Sequence, residues 1–185
     1  MNFNKHFELR DKHAFLSPSS YRWLKYDRAK LIAIYNSRQD VERGTLLHAY
    51  AADAIKLKRK QPRSRETVCM YINDAISYRM EPEVPLKYSE NAFGTADTIC
   101  FRNKVLRIHD LKTGVKEAAM EQLMIYAAYF CMEYDVNPKD IKIILRIYQN
   151  NDFKEYEPEA EEILDIMDIT VEHDKTLNQL RRGEI

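Results

Sequence analysis

The stretch that decides the fold is Phe93-Gly94-Thr95-Ala96-Asp97-Thr98-Ile99-Cys100-Phe101, followed by Arg102-Asn103-Lys104 and Val105-Leu106-Arg107-Ile108-His109-Asp110-Leu111-Lys112. Two runs rich in β-branched and aromatic residues flank a short polar turn, the pattern of a β-hairpin. Asp110 and Lys112 are two apart on the second strand, so they project from one face. A two-residue loop at Arg102-Asn103 sets Asp97 opposite Ile108. A loop at Asn103-Lys104 sets it directly opposite Asp110. Either register gathers Asp97, Asp110 and Lys112 on one face, whereas a three-residue loop turns Asp97 away.

Upstream of the hairpin the chain reads as helical. Ser17-Pro18 has the form of an N-cap followed by proline at the first helical position, opening a helix through Tyr21, Trp23, Leu24 and Tyr26. Apolar residues Leu46, Leu47, Ala51, Ala54 and Ile55 recur at helical spacing and predict a second helix from about Asp40 to Lys58. Pro62 interrupts, and Val68, Tyr71, Ile72, Ala75 and Ile76 mark a third from Ser64 to about Tyr78. Pro82 and Pro85 flank a first short strand leading into Lys87-Tyr88.

Downstream, Ala118 to Cys131 describe a largely buried helix within about Val115 to Tyr134, and Ile141 to Ile147 a buried strand. A last helix opens at Pro158 and ends in Arg181-Arg182, with acids in its first turns, which suits the helix dipole. A β-meander, a crossover helix and a further strand make an α/β fold with a mixed sheet and flanking helices. The expected organisation is a single domain over 1–185: a helical segment at 1–80 covering the sheet, an αβ core at 81–150, and a C-terminal helix at 151–185. The last helix carries a broad apolar stripe including Ile163, Ile166, Leu177 and Leu180. Packing on its own domain and a homo-oligomer contact are both open readings of it.

Composition narrows the function. The 185 residues are 45% hydrophobic and 31% charged, ordinary for a globular protein. No apolar run approaches the roughly 20 residues that span a bilayer, and the start lacks a secretory apolar segment, so no membrane partner and an intracellular place are expected. Cys69, Cys100 and Cys131 are far apart and odd in number. They predict reduced, mostly buried thiols and offer no zinc or iron–sulfur spacing. Formal net charge is zero, yet Lys56 to Arg65 (KLKRKQPRSR) is a local cationic run. It reads equally as a solvated helix end or as a nucleic-acid patch.

Two carboxylates and an ammonium on one sheet face need a partner, because unpaired carboxylates raise each other's pKa. A Mg²⁺ or Mn²⁺ ion resolves the repulsion, polarises a phosphoryl oxygen and activates a water, while Lys112 offsets developing charge. Asp-x-Lys alone carries little. Asp152-Phe153-Lys154 has the same pattern and is assigned no role, and an exposed strand pair of this kind is worth less than about 1 kcal/mol. The weight lies in the combination of Gly94-Thr95-Ala96-Asp97, Asp110-Leu111-Lys112-Thr113-Gly114, and Gln122 four residues before Tyr126 on one helix face.

Those signatures, in that order and spacing, resemble the RecB-type exonuclease branch of the PD-(D/E)XK superfamily. Leu16-Ser17-Pro18-Ser19-Ser20 with Trp23-Leu24, and Gly44-Thr45-Leu46-Leu47-His48, resemble its N-terminal helix and its helical histidine motif. The resemblance runs from about Leu16 to Tyr129 and is closest to small phage or prophage nucleases. It implies that Asp97 and Asp110 bind the metal, that the Leu111 carbonyl completes the shell, and that His48 is an additional ligand. It further implies that Lys112 is the catalytic lysine, that Gln122 and Tyr126 support the lysine and the DNA strand, and that Glu83 matches an acid of the first strand. His109, on the opposite strand face, is expected to be structural. The branch members with an iron–sulfur cluster carry cysteines that this chain lacks, so no cluster is expected. The implied activity is Mg²⁺- or Mn²⁺-dependent hydrolysis of DNA ends, exonuclease ahead of endonuclease, in the cytoplasm of a bacterial cell or from a phage gene. A recombinase or single-strand-binding protein is the partner to look for, and a nuclease fold that only binds DNA or a protein is the alternative.

Overall fold

The computed structural model describes residues 14–114 and 117–184. The chain divides into two compact units, Met1–Glu42 and Arg43–Ile185. In the first, Pro18–Lys25 is a 3-10 helix and not the N-capped helix predicted, because Ser20 (φ −109°, ψ 42°) leaves helical geometry and the Ser17 side chain makes no cap bond. Trp23 Nε1 donates instead to the Ser17 carbonyl at 3.0 Å. Helix α1 (Arg28–Lys56) starts well before the predicted Asp40. Its early turns expose most of their apolar residues, Leu31, Ile32 and Tyr35 among them, so burial periodicity does not mark them.

The second unit is built on one sheet of five strands: β1 (Glu81–Lys87), β2 (Phe93–Arg102), β3 (Val105–Leu111), β4 (Lys142–Gln149) and β5 (Asp152–Tyr156), in that spatial order. Neighbours are antiparallel except β3 and β4, which run parallel through the crossover helix α3 (Glu121–Glu133). The sheet is therefore mixed, with helices on both faces. On β3, Leu106 and Ile108 face Leu123, Ala127 and Cys131 of α3 and Ile163 of the last helix, α4 (Ala160–Arg182). Leu111 and Tyr148 face the other way, against Ala51, Ala54 and Ile55 of α1 and Tyr71, Ile72 and Ala75 of α2 (Thr67–Tyr78). Period-two alternation on a doubly covered strand produces both cores.

Strand β5 corrects the reading of 151–185 as a helix alone. It pairs with β4 from Gln149↔Asp152 through a two-residue loop, Asn150-Asn151, with φ of 53° and 59°. Asparagine tolerates that left-handed backbone, as a tight hairpin requires. All five residues of β5 are exposed, so the edge strand shows no buried face. Helix α4 then starts at Ala160 rather than Pro158, its entry held by a capping box between Glu159 and Glu162. Helix α3 likewise begins at Glu121, later than predicted; the predicted start at Val115 lies outside the described residues.

Cys69, Cys100 and Cys131 are free thiols. No helix among the described residues is long and apolar enough to cross a membrane.

Candidate metal centre

The hairpin register resolves the choice the sequence left open. Arg102↔Val105 closes the loop at Asn103-Lys104, both at positive φ, and Thr98↔His109 is the last pair of the ladder before the site. Continued by one residue, this register sets Asp97 across from Asp110. There the backbone pairing gives way to a side chain: Leu111 N–H donates to Asp97 Oδ2 at 2.9 Å. The Asp97 carboxylate is thereby fixed at the open end of the β2–β3 pair.

Three donors converge on this point. His48 Nδ1, from the second unit's part of α1, lies 3.3 Å from Asp97 Oδ2. Glu83 on β1 joins them, so that one ligand atom each from His48, Glu83 and Asp97 lie within 4.8 Å of one another. Glu83 is reached through an unusual backbone. Its φ is +55°, between the regular pairs Pro82↔Thr98 and Val84↔Ala96. A non-glycine residue there costs on the order of 1 kcal/mol, and such strain concentrates at functional sites.

Asp110 is the buried member, 2% exposed. Lys112 Nζ sits 3.1 Å from its Oδ1 and 3.0 Å from its Oδ2. Only the first contact has hydrogen-bond geometry, so Oδ2 is buried beside a charge but without a hydrogen bond. Burial, and next the Asp97 carboxylate, push the Asp110 pKa above the usual carboxylate range, with Lys112 and His48 opposing. The hydrogen bond to Asp97 raises the His48 pKa against the effect of burial, helped by the charges of Asp97, Asp110 and Glu83. Tyr71, packed beneath, has its phenol pKa raised by burial and then by Asp97. Negative charge is thus concentrated beyond what Lys112 neutralises. Carboxylates with an imidazole, one carboxylate oxygen buried without a hydrogen bond, fit a hard divalent cation.

The lysine is itself held. Gln122 Oε1 accepts from Lys112 Nζ at 2.9 Å, leaving the Gln122 amide nitrogen directed to Tyr126 Oη at a long 3.5 Å. Tyr126 lies against Gly94, where a Cβ would fall 2.9 Å from its Cε1. Gly44 plays the same part on α1, since a Cβ there would meet Thr113 Oγ1 at 2.8 Å. Both glycines are close-approach positions that bring an element against the strand ends carrying the site.

All the side chains singled out from the sequence here come together: His48, Glu83, Asp97, Asp110, Lys112, Gln122 and Tyr126. Leu111 contributes its backbone N–H, with its side chain in the α1–α2 core. His109 lies on the other sheet face, 1% exposed, edge-on to Tyr78 and beside Tyr148. Burial with Arg146 and Arg107 nearby depresses its pKa to about 3, so it is neutral. Unforeseen was Tyr71 beneath the cluster; its place on the buried stripe of α2 marks it only as core.

Residues 78–184 match the model of a family described as protein of unknown function, DUF2800. The chain belongs to DUF2800. The DUF2800 match takes in the whole sheet, α3 and α4, and with them Glu83, Asp97, Asp110, Lys112, Gln122 and Tyr126. His48, on α1, lies outside the DUF2800 match. No curated protein and no solved structure matches the chain.

Proposed function

We propose that this chain is a metal-dependent DNA nuclease with a PD-(D/E)XK core, RecB-like in its motifs and more suited to exonuclease than endonuclease action. The observation that carries the reading is the convergence of His48, Glu83 and Asp97 beside the Lys112-paired, otherwise unbonded Asp110. An isolated ion pair on a strand needs none of the other groups. A phosphodiester-cutting centre has a use for each of them, as metal ligand or as counter-charge.

Asp97, Asp110, the Leu111 carbonyl and His48 would hold Mg²⁺ or Mn²⁺, with Glu83 as a further acid. Such an ion, when bound, polarises a phosphoryl oxygen and lowers the pKa of a water. Lys112, held between Asp110 and Gln122, would set a positive charge beside a phosphoryl group that gains negative charge. Gln122 spends its carbonyl oxygen on Lys112, which leaves its amide hydrogens for Tyr126 or a phosphate oxygen. Tyr126 adds a partly buried hydroxyl and ring next to that amide. No side chain is asked to form a covalent bond to DNA.

Purified protein should degrade linear DNA in Mn²⁺ or Mg²⁺, and calorimetry should register Mn²⁺ binding that Asp97→Asn weakens. A protein that binds DNA but shows neither metal binding nor cleavage would be a nuclease fold used only for binding.

A further inference from the structure

The cationic run at Lys56 to Arg65 finds no use in the site above, and its first members line a different feature. A cleft of about 680 Å³ is bordered by Lys56, Lys58, Arg79 and Arg102, over a floor that includes Ile55, Ile76 and Met80. A second cleft, of about 280 Å³, shares Arg79 and Arg102 with the first and adds Arg107 and Tyr78. The two adjoin at Arg79 and Arg102, which line both. The only acid among the lining residues is Glu81.

The five cations come from four places in the fold: the end of α1, the end of α2, the last residue of β2, and β3. None of them is in an ion pair among the described residues. Elsewhere in the unit Lys142, Lys154 and Lys139 have carboxylate partners, whereas Lys60, Lys104 and Lys175, like the groove cations, have none among the described residues. Lys58 and Arg79 both have positive φ, 53° and 55°, at the points where α1 and α2 end. Arg107 stacks over the Tyr78 ring, 4.7 Å from its centroid, and Tyr78 is 37% exposed. The lining is an unneutralised cationic rim around an apolar floor, with an aromatic ring at one end.

We propose that this groove is a second nucleic-acid site that holds a single strand, phosphates on the rim and bases toward the floor. It is separate from the metal centre. Arg102 is five residues along β2 from Asp97, about 17 Å at strand rise. Free cations spaced along two joined clefts suit a polymer of regularly repeated negative charge better than a single anion. The recess with its apolar floor and the ring of Tyr78 distinguish strand from duplex. Splayed bases use apolar and aromatic surface, whereas a duplex keeps its bases stacked inside and offers phosphates alone. The site does not depend on cleavage, so it stands or falls apart from the proposed nuclease activity.

The test is fluorescence anisotropy of a labelled oligothymidylate with the full chain in EDTA, over a range of KCl. The proposal expects salt-dependent binding that Lys56→Glu/Arg102→Glu weakens at least tenfold. It expects the slope of log K against log salt to shrink by about 1.4, near 0.7 for each lost phosphate contact. Lys175→Glu on α4 should bind as the parent does, a duplex of equal length should bind more weakly, and polyglutamate should not compete. Melting curves establish that the variant is folded; if the charge reversal unfolds it, Lys56→Gln/Arg102→Gln is read in its place, with the same direction of change. Parental affinity and slope in a folded variant would overturn the proposal. So would tighter binding of duplex, or displacement by polyglutamate, which would make the groove an acidic-protein surface. Loss of binding in Lys56→Glu/Arg102→Glu with Mn²⁺ titration unchanged supports this groove even if the chain never cuts DNA.

Discussion

Adding a single methyl group at Gly94 tests how tightly the site is assembled. An alanine Cβ there would sit 2.9 Å from Tyr126 Cε1, 3.5 Å from its Oη and 3.7 Å from its Cζ. Ordinary carbon–carbon contact is about 3.5–4.0 Å, so the ring must retreat by roughly 0.6 Å or more. The strand has little freedom to yield, since Gly94 pairs with Leu86 within the sheet. Nor has the helix, because Leu123 and Ala127 beside Tyr126 are fully buried. Overpacking of this kind costs about 1–3 kcal/mol, and removing glycine's conformational freedom from a strand returns about 0.5–1 kcal/mol. From the centres of those ranges the net expectation is about 1 kcal/mol lost, a fall in Tm of about 2–4 °C for a chain of this size. Because Tyr126 adjoins Gln122, which holds Lys112, cleavage should also slow by about tenfold. Thermal melts of Gly94→Ala, Tyr126→Ala and the double variant form a cycle. Once the ring is gone the loss should vanish and the glycine substitution should stabilise slightly, by up to about 1 kcal/mol. Gly114→Ala is the control, with nothing within 4 Å of its Cβ. Equal losses with and without the Tyr126 ring, or no loss at all, would refute the packing argument.

Three other outcomes follow from the same geometry. Arg146 donates to Asp74 at 2.7 Å and to Tyr148 Oη at 3.0 Å, and pairs with Glu155, at only 11% side-chain exposure. Arg146→Met should cost about 2–4 kcal/mol in urea denaturation, since the carboxylates it leaves behind are only partly hydrated. His109 titrates near 3 in the folded protein, against about 6.5 when unfolded. The unfolded chain therefore takes up the proton first: stability is full above pH 6.5 and is lost progressively from there toward pH 3. The loss is on the order of 5 kcal/mol at most, and His109→Gln should flatten that limb of a pH–stability curve. Mn²⁺ at about 100 times its Kd should raise Tm by about 5–10 °C, equivalent to roughly 2.7 kcal/mol, and Asp97→Asn or His48→Ala should remove most of that shift.

The hairpin was legible because its information is local. Alternation and a polar turn identify the strands, and either two-residue loop puts Asp97 on the face that carries Asp110. Which loop forms depends on Asn103 and Lys104 both taking left-handed backbone, and the lysine gives no sign of that in sequence. The Leu111 N–H bond to Asp97 was invisible, since it arises where the strand ladder stops and a side chain replaces a carbonyl. Strand β5 was missed although Asn150-Asn151 carried the signal of a tight hairpin; an edge strand exposed throughout shows no alternation to accompany it. Glu83 could be suspected as an acid on the first strand, but its inverted φ is a tertiary effect. The run at Lys56 to Arg65 displayed its charge plainly. Its groove did not show, because Arg79, Arg102 and Arg107 come from elements far apart in the chain.

The central claim is that His48, Asp97, Asp110 and Lys112 make up a phosphodiester-cutting metal centre. It is tested most directly by incubating end-labelled single- and double-stranded DNA with the wild-type chain and with Lys112→Ala, in Mg²⁺, Mn²⁺ and EDTA. The account predicts metal-dependent shortening to products with 5′-phosphate and 3′-hydroxyl ends, abolished by EDTA and by Lys112→Ala. Cleavage that survives both treatments would contradict it, as would intact DNA under every metal condition with a folded protein.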